Sequence, residues 1–275
     1  MFQEIKNIYH LAMAIGANLW YGFPSRNLTV IGVTGTDGKT TTASLIYNIL
    51  KSSDTKVSMI SSVGAVINGK DYSLPFHVTT PSPFALQKFI KMAVERGGTN
   101  GKKFLVLEVT SHSLDQFRIY GINFEVGVIT NVSHEHLDYH KNYRKYAKTK
   151  LKLFQKSKDA VVNKDDRSYK ILMPELRKLM GRRPARVVTY GLTKTADVNP
   201  ENFEFKSNML GEFNTYNTLA AITSARLLGI KSAQIRKAIL DFKSPLGRQD
   251  MVYDEDFAVM IDFAHTPNSI KEILK

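Results

Sequence analysis

Ile5, Ile8, Leu11, Ala12, Ile15 and Leu19 recur at the three-to-four-residue interval of a helix, and the pattern breaks at Gly22-Phe23-Pro24. The periodicity then changes. A short β-branched run, Val30, Ile31 and Val33, leads into a glycine-rich turn and an amphipathic helical stretch that reaches Leu50. Further compact apolar runs of strand length occupy 57–60, 104–109, 126–130, 160–163 and 187–190, with a small hairpin pattern over 63–72. Phe203 and Phe205 flank Glu204 as an edge strand would. Helical patterns follow Ser82, which caps a segment with Pro83 in its first turn, and fill 142–155, 211–229 and 232–242. Strands alternating with helices predict an α/β fold with a mostly parallel sheet flanked by helices. Ser244-Pro245-Leu246-Gly247-Arg248 reads as a linker before a new strand, 257–262, and a helix. The expected division is a helical lead at 1–29, a main domain at 30–244, and the beginning of a further domain at 245–275, which alone buries too little surface to stand as a unit.

The turn after the first strand carries the most specific chemistry. Gly32, Gly35 and Gly38 precede Lys39 and Thr40 between strand and helix. Glycines let backbone amides close around phosphate oxygens, a lysine there reaches β/γ-phosphates, and a hydroxyl at the helix start suits Mg²⁺. A nucleoside triphosphate site is therefore expected, although the strict phosphate-loop spacing wants glycine at position 33 and this chain has Val33. Glu108 ends the apolar run at 104–109, and ligands of open parallel sheets sit beyond the carboxyl ends of strands, so Glu108 is placed for a nucleotide-bound Mg²⁺. Thr79-Thr80-Pro81 is a turn with two hydroxyls, and Ser111, His112, Asp115, Gln116 and Arg118 follow Glu108 within two turns. His134, Glu135, His136, Asp138 and His140 crowd beyond another strand end, a density folding rarely requires. A metallo-hydrolase histidine box would want histidine where Tyr139 stands, and it sits badly with a phosphate loop upstream.

Composition narrows the setting. The chain of 275 residues is 43% hydrophobic and 23% charged, as a globular protein is, and has no cysteine. No apolar run approaches the ~20 residues of a membrane span, and cytoplasmic placement is the default. The net charge of +13 calls for anionic ligands. Lysines and arginines crowd 141–158 with Tyr143, Tyr146 and Phe154 interleaved; they read as a solvated helix face, with no nucleic-acid partner. Trp20, Tyr21 and Phe23 suit either a membrane interface or cover of the sheet edge, and the sparsely basic polar face favours packing.

VTGTDGKTTT, TTPSP, EVTSHSLDQFR, TNVSHEHLDYH, GEFNTYNTLAA, PLGRQD and IDFAHTPNS occur in this order over 28–275. Together they resemble the Mur ligase family, ATP-dependent amide-forming enzymes of peptidoglycan precursor synthesis. The EVTSHSLDQFR and HLDYH versions look most like the branch that adds diaminopimelate or lysine to a UDP-N-acetylmuramoyl dipeptide.

The resemblance implies that Gly35, Thr36, Asp37, Gly38, Lys39, Thr40 and Thr41 hold ATP phosphates, and that Thr40 and Glu108 ligate one Mg²⁺. His136 would bind a second Mg²⁺ with a carbamylated lysine, for which Lys150 fits the family spacing to Leu153 and Phe154 and Lys148 is the runner-up. A carbamate turns a cationic side chain into an anionic oxygen ligand suited to a hard cation. Thr79, Thr80, Ser111 and Arg118 would face the muramoyl dipeptide, and Asn214, Asn217, Arg248 and Asp262 the nucleotide, with His265 nearby.

The chain departs from the family at both ends. Twenty-nine mostly helical residues stand where a UDP-binding domain is usual, and a Rossmann-like C-terminal domain is represented by its first strand and helix. Thr110 and Glu135 replace the usual serine and aspartate. The expected protein is a monomeric ligase. Its alternatives are a folylpolyglutamate-synthetase-like ligase and a nucleotide-binding module that works with a partner chain.

Overall fold

The computed structural model describes residues 2–74, 79–97, 101–133, 141–181, 185–265 and 267–274. The strands β1 (Thr29–Thr34), β2 (Lys56–Ser61), β3 (Gly64–Ile67), β4 (Lys70–Tyr72), β5 (Lys103–Glu108), β6 (Phe124–Ile129), β7 (Ser157–Asn163) and β8 (Val187–Tyr190) form one sheet. Their order is β4-β3-β2-β5-β1-β6-β7-β8. Pairing is parallel except at β2–β3 and β3–β4. Central β1 and β5 are buried on both faces, which explains their continuous apolar runs in place of alternation.

Helices cover both faces. On one, α2 (Lys39–Lys51) packs with the later helices α7 (Glu212–Leu227) and α8 (Ser232–Leu240), around a core that includes Ile31, Ile46, Val106, Leu219 and Ile235. On the other, α3 (Pro83–Arg96) covers Leu105 and Leu107, with α1 (Phe2–Tyr21) laid over it and α4 (Ser111–Asp115) close by. Beyond these, α5 (Tyr143–Leu151) and α6 (Tyr169–Met180) enclose a third cluster with Ile129, Ala160 and Val162. β9 (Asp250–Asp254) and β10 (Ala258–Ile261) make a separate antiparallel pair, followed by α9 (Pro267–Ile273).

The mostly parallel α/β sheet matches the sequence expectation, with particular differences. Phe203 and Phe205 form no strand. Phe203 is buried in the core, with the guanidinium of Arg236 4.6 Å from its ring, so a side chain drawn inward replaces an edge pairing. α6 and β9 form where the sequence pattern predicts no element. Within the basic stretch at 141–158, Lys148 pairs with Glu175 at 3.0 Å and Lys158 with Glu125 at 2.6 Å at the surface, whereas Lys150, Tyr146 and Phe154 are buried.

The largest difference is α1. It docks through small residues, Ala14 and Ala17, and through Asn18, whose Nδ2 donates to the carbonyls of Ala14 and Tyr120, each at 2.8 Å. Asn7 Nδ2 adds a bond to Asp115 at 3.2 Å. The apolar stripe read from the sequence faces outward, and Trp20 is 79% exposed, so it does not cover the sheet edge.

Asp159 on β7 fixes the entry to β8. Its buried carboxylate accepts from Arg186 N at 2.9 Å, Nε at 3.1 Å and Nη2 at 2.5 Å. Burial pushes its pKa up, and the hydrogen bonds from Arg186 outweigh that and hold it below the ordinary carboxylate value. A depressed folded pKa contributes stability that is present above the unfolded pKa, near 3.9, and is lost as pH falls through the folded value. Asp159→Ala should therefore cost about 2 kcal/mol at pH 7 in denaturant titration. The difference from the parent chain should shrink in acid below about pH 4.

Candidate active site

The carboxyl ends of β1, β5 and β6 converge on one site. β1 hands the chain to the turn at Gly35–Gly38, and α2 begins at Lys39 with Gly38 at φ +77° as its cap. Two glycines are required by close approach. A Cβ on Gly35 would lie 1.8 Å from Thr130 Oγ1, and one on Gly38 would lie 2.1 Å from Asn217 Oδ1. The end of β6 braces this turn. Asn131 accepts from Thr36 N through its carbonyl and from Asp37 N through Oδ1, each at 2.9 Å, and Thr130 Oγ1 donates to the Asp37 carbonyl at 2.6 Å. Lys39 Nζ lies over the turn, 2.6 Å from the Thr36 carbonyl. Thr40 and Thr41 are buried in the first turn of α2.

Glu108, 1% exposed at the end of β5, borders two groups of residues. Its Oε2 accepts from Thr40 Oγ1 at 3.1 Å and from Ser62 N at 3.0 Å, and the hydroxyls of Thr40 and Ser62 are 2.8 Å apart. Its carbonyl accepts from Thr80 Oγ1 at 3.1 Å. Thr80 also reaches Ser113 Oγ at 3.3 Å, and its own carbonyl takes Arg118 Nη1 at 3.3 Å. Arg118 is held by Gln116 Oε1 at 2.8 Å, Ser111 is buried at the start of α4, and Thr79 is half-buried beside Thr80. A cavity of about 550 Å³ adjoins this side, with Leu74, Pro81, Phe89 and Met92 in its wall and Lys88 and Arg118 as its cations.

Lys150 is 1% exposed, and its Nζ donates to the Gly35 carbonyl at 2.6 Å. The Tyr146 ring lies 4.2 Å from that ammonium, and the Tyr146 hydroxyl meets Thr36 Oγ1 at 3.2 Å. Lys148 turns to the surface instead, against Glu175. His136 lies outside the described residues, as do His134, Glu135, Asp138 and His140. Among the described residues there is no cluster of three or more His, Cys, Asp or Glu side chains that could hold a metal ion.

α7 brings buried Asn214 and Asn217 to the start of α2. Asn217 Oδ1 accepts from Thr42 Oγ1 at 3.3 Å, Asn217 Nδ2 donates to Asn214 Oδ1 at 3.0 Å, and Asn214 Nδ2 donates to Gln249 Oε1 at 2.6 Å. Arg248 is half-buried with its guanidinium 4.6 Å from the Phe263 ring. Burial draws its pKa below the ordinary arginine value, against the opposing pull of Glu108, Asp262 and Asp37. Both Asp262 oxygens accept backbone amides, from Gln249 at 2.8 Å and Ala264 at 2.7 Å, so this residue shapes the turn beside Arg248. His265 is exposed, with Nδ1 2.9 Å from the Phe263 carbonyl.

Ser62, Thr130, Asn131, Tyr146 and Gln249 thus join the site without having been assigned roles from the sequence. Thr130 and Asn131 carried a signal, because they open the TNVSHEHLDYH segment beyond a strand end. The arrangement fits a magnesium nucleotide: a glycine turn, a helix start, a lysine, and oxygen donors of the kind a hard cation takes. Gly38→Ala should remove nucleotide binding in a calorimetric titration, because its Cβ would displace Asn217 and its φ is strained for a side chain. Undiminished binding would place the nucleotide elsewhere.

The sequence and the fold are similar to those of known proteins. Residues 33–225 match the family described as Mur ligase middle domain. A Clostridium botulinum (strain ATCC 19397 / Type A) relative, UDP-N-acetylmuramoyl-L-alanyl-D-glutamate--2,6-diaminopimelate ligase, is 34% identical over 284 residues, covering 96% of this chain and 56% of that protein. The chain therefore spans about half the length of the curated relatives it matches. A solved structure titled UDP-N-acetylmuramoyl-L-alanyl-D-glutamate--2, 6-diaminopimelate ligase superposes with TM-score 0.74 at 28% identity, over 90% of this chain and 53% of that one. Mycobacterium tuberculosis folylpolyglutamate synthase, solved with ADP and AMPPCP, superposes with TM-score 0.74 at 17% identity, over 96% of this chain and 69% of that one, a likeness of fold.

Proposed function

The chain belongs to the Mur ligase family and carries its middle domain, and from that premise we propose that it is the ATP-binding part of an amide-forming ligase. The acceptor is a UDP-N-acetylmuramoyl dipeptide, and the incoming amino acid is diaminopimelate or lysine. The observation that carries this reading is Glu108, whose carboxylate meets Thr40 of the phosphate loop while its carbonyl meets Thr80. Triphosphate and acceptor sites thus share one strand end, as in-line transfer between them requires.

In the proposed reaction an acceptor carboxylate oxygen attacks the γ-phosphorus, the bond to the bridging oxygen breaks, and ADP leaves. The amino group then attacks the acyl carbon, the bond to the phosphate oxygen breaks, phosphate departs and the amine loses a proton. Lys39 and the amides of Gly35 to Thr41 hold the phosphates, and Thr79, Thr80, Ser111 and Arg118 hold the acceptor. Asn214, Asn217 and Arg248 border the nucleotide, while Asp262 acts by holding the turn that presents Arg248. Thr40 and Glu108 would ligate one Mg²⁺ and Lys150, as its carbamate, a second, with His136 assigned on the sequence motif. Bound metal would neutralise charge on the transferring phosphoryl group.

Residues 245–275 are assigned as the start of the domain that supplies the amino-acid site, and the protein is placed in the cytoplasm as a monomer. Among the described residues no helix is long and apolar enough to cross a membrane. The test is ADP release from a form of the protein that has the whole domain for the amino-acid site, in the presence of different acceptors. Release should require the muramoyl dipeptide and the amino acid, and carboxylate ¹⁸O should appear in the released phosphate. Release with a folate and glutamate, but none with the muramoyl dipeptide, would overturn the assignment in favour of the folylpolyglutamate reading.

A further inference from the structure

The outward face of α1 has no place in the ligase reading. Ile5, Ile8, Tyr9, Ile15, Leu19 and Trp20 lie along one side of this helix, over about 22 Å of its length. Ile8 is 67% exposed, Leu19 66% and Trp20 79%. Such a contiguous apolar stripe marks an interaction surface.

The charges around it select the partner. Between Lys6 and Arg26 the chain has no Asp, Glu, Lys or Arg, so charge is confined to the two ends of the stripe, Glu4 and Lys6 at one and Arg26 at the other. Cations also sit over exposed or half-buried aromatic rings at its margin. Arg26 lies 4.4 Å from the Phe23 ring, and Lys152, paired with Asp115 at 2.8 Å, lies 5.5 Å from that of Phe117 in the loop after α4. Tyr120, whose carbonyl anchors Asn18, is exposed beside them. An apolar helix face with Trp and Tyr on it, cations at its edge and a chain of net charge +13 behind it suits the boundary between lipid headgroups and acyl chains of an anionic bilayer.

We propose that α1 lies flat on an anionic membrane surface and docks the protein there through this stripe. The inference is independent of the ligase assignment. The docked face is formed by side chains that α1 does not use to hold the fold, since Ala14, Ala17 and Asn18 do that.

Trp20 is the sole tryptophan, so its emission reports on this face alone. The chain is titrated with vesicles of equal parts phosphatidylglycerol and phosphatidylcholine, and with phosphatidylcholine alone. Expected are a blue shift, protection from a soluble quencher and co-sedimentation with the anionic vesicles, and at least about tenfold weaker binding to the neutral ones. The double variant Ile8→Glu/Leu19→Glu should keep the parent circular dichroism spectrum and lose the blue shift and about tenfold or more of the binding. A single Ile15→Gln variant, gentler on the helix, should lose part of it.

Three results would overturn the proposal. The first is no spectral response to anionic vesicles. The second is vesicle binding unaltered in the double and single variants, which would mean attraction by net charge alone. The third is a Trp20 already blue-shifted and quencher-shielded without lipid, which would mean that a second copy or another protein surface covers the stripe.

Discussion

In a form of the protein that has the whole domain for the amino-acid site, Lys39→Ala is expected to lower nucleotide turnover by at least about a hundredfold, the scale on which a fixed charge or donor aimed at a developing negative charge acts. The side chain is at the first position of α2, with its Nζ 2.6 Å from the Thr36 carbonyl, above the turn that Asn131 and Thr130 brace. From there an ammonium can follow charge as it moves from the γ-phosphoryl group toward ADP. Little else in the fold depends on it. The turn is held by backbone and by the β6 end, so thermal unfolding of Lys39→Ala should stay within a few degrees of the parent. Turnover that survives the substitution would remove the glycine turn from the mechanism.

Lys150→Ala should also be inactive, and the distinctive expectation is its rescue. If Lys150 works as a carbamate, a small carboxylate such as acetate or formate can enter the space the side chain vacates and supply the missing oxygens. Partial recovery that saturates with added carboxylate is predicted, while Lys148→Ala keeps most of its activity. The placement of the two lysines motivates the contrast. Lys150 is almost fully buried, against the Gly35 carbonyl and the Tyr146 ring. Lys148 pairs with Glu175 at the surface, where loss of an ion pair costs little. Rescue of Lys148→Ala, with Lys150→Ala active, would exchange the two assignments.

The phosphate turn was readable in the chain because its chemistry is local: strand, glycines, lysine and hydroxyl are consecutive, and their spacing carries the geometry. Glu108 was readable for a different reason, because a strongly apolar strand ending in a carboxylate places that carboxylate at the ligand edge of a parallel sheet. Ser62 and Tyr146 could not be found this way. They meet Thr40 and Thr36 only through packing of elements 22 and 110 residues apart, and neither stands in a motif. α6 was hidden by Pro174 within it and by its charged residues. The orientation of α1 was not legible for a general physical reason. Periodicity shows that a helix has two faces, but a close helix contact can be made by alanines and an asparagine, which leaves the more apolar face for something else.

Ligase function requires that the end of β1 hold a magnesium nucleotide with Glu108 at its metal. Calorimetric titration of this chain with a non-hydrolysable ATP analogue, with and without Mg²⁺, tests it directly. Saturable one-to-one binding that needs the metal and weakens about tenfold or more in Glu108→Gln is expected. Absence of saturable binding, or binding indifferent both to Mg²⁺ and to Glu108→Gln, would contradict it.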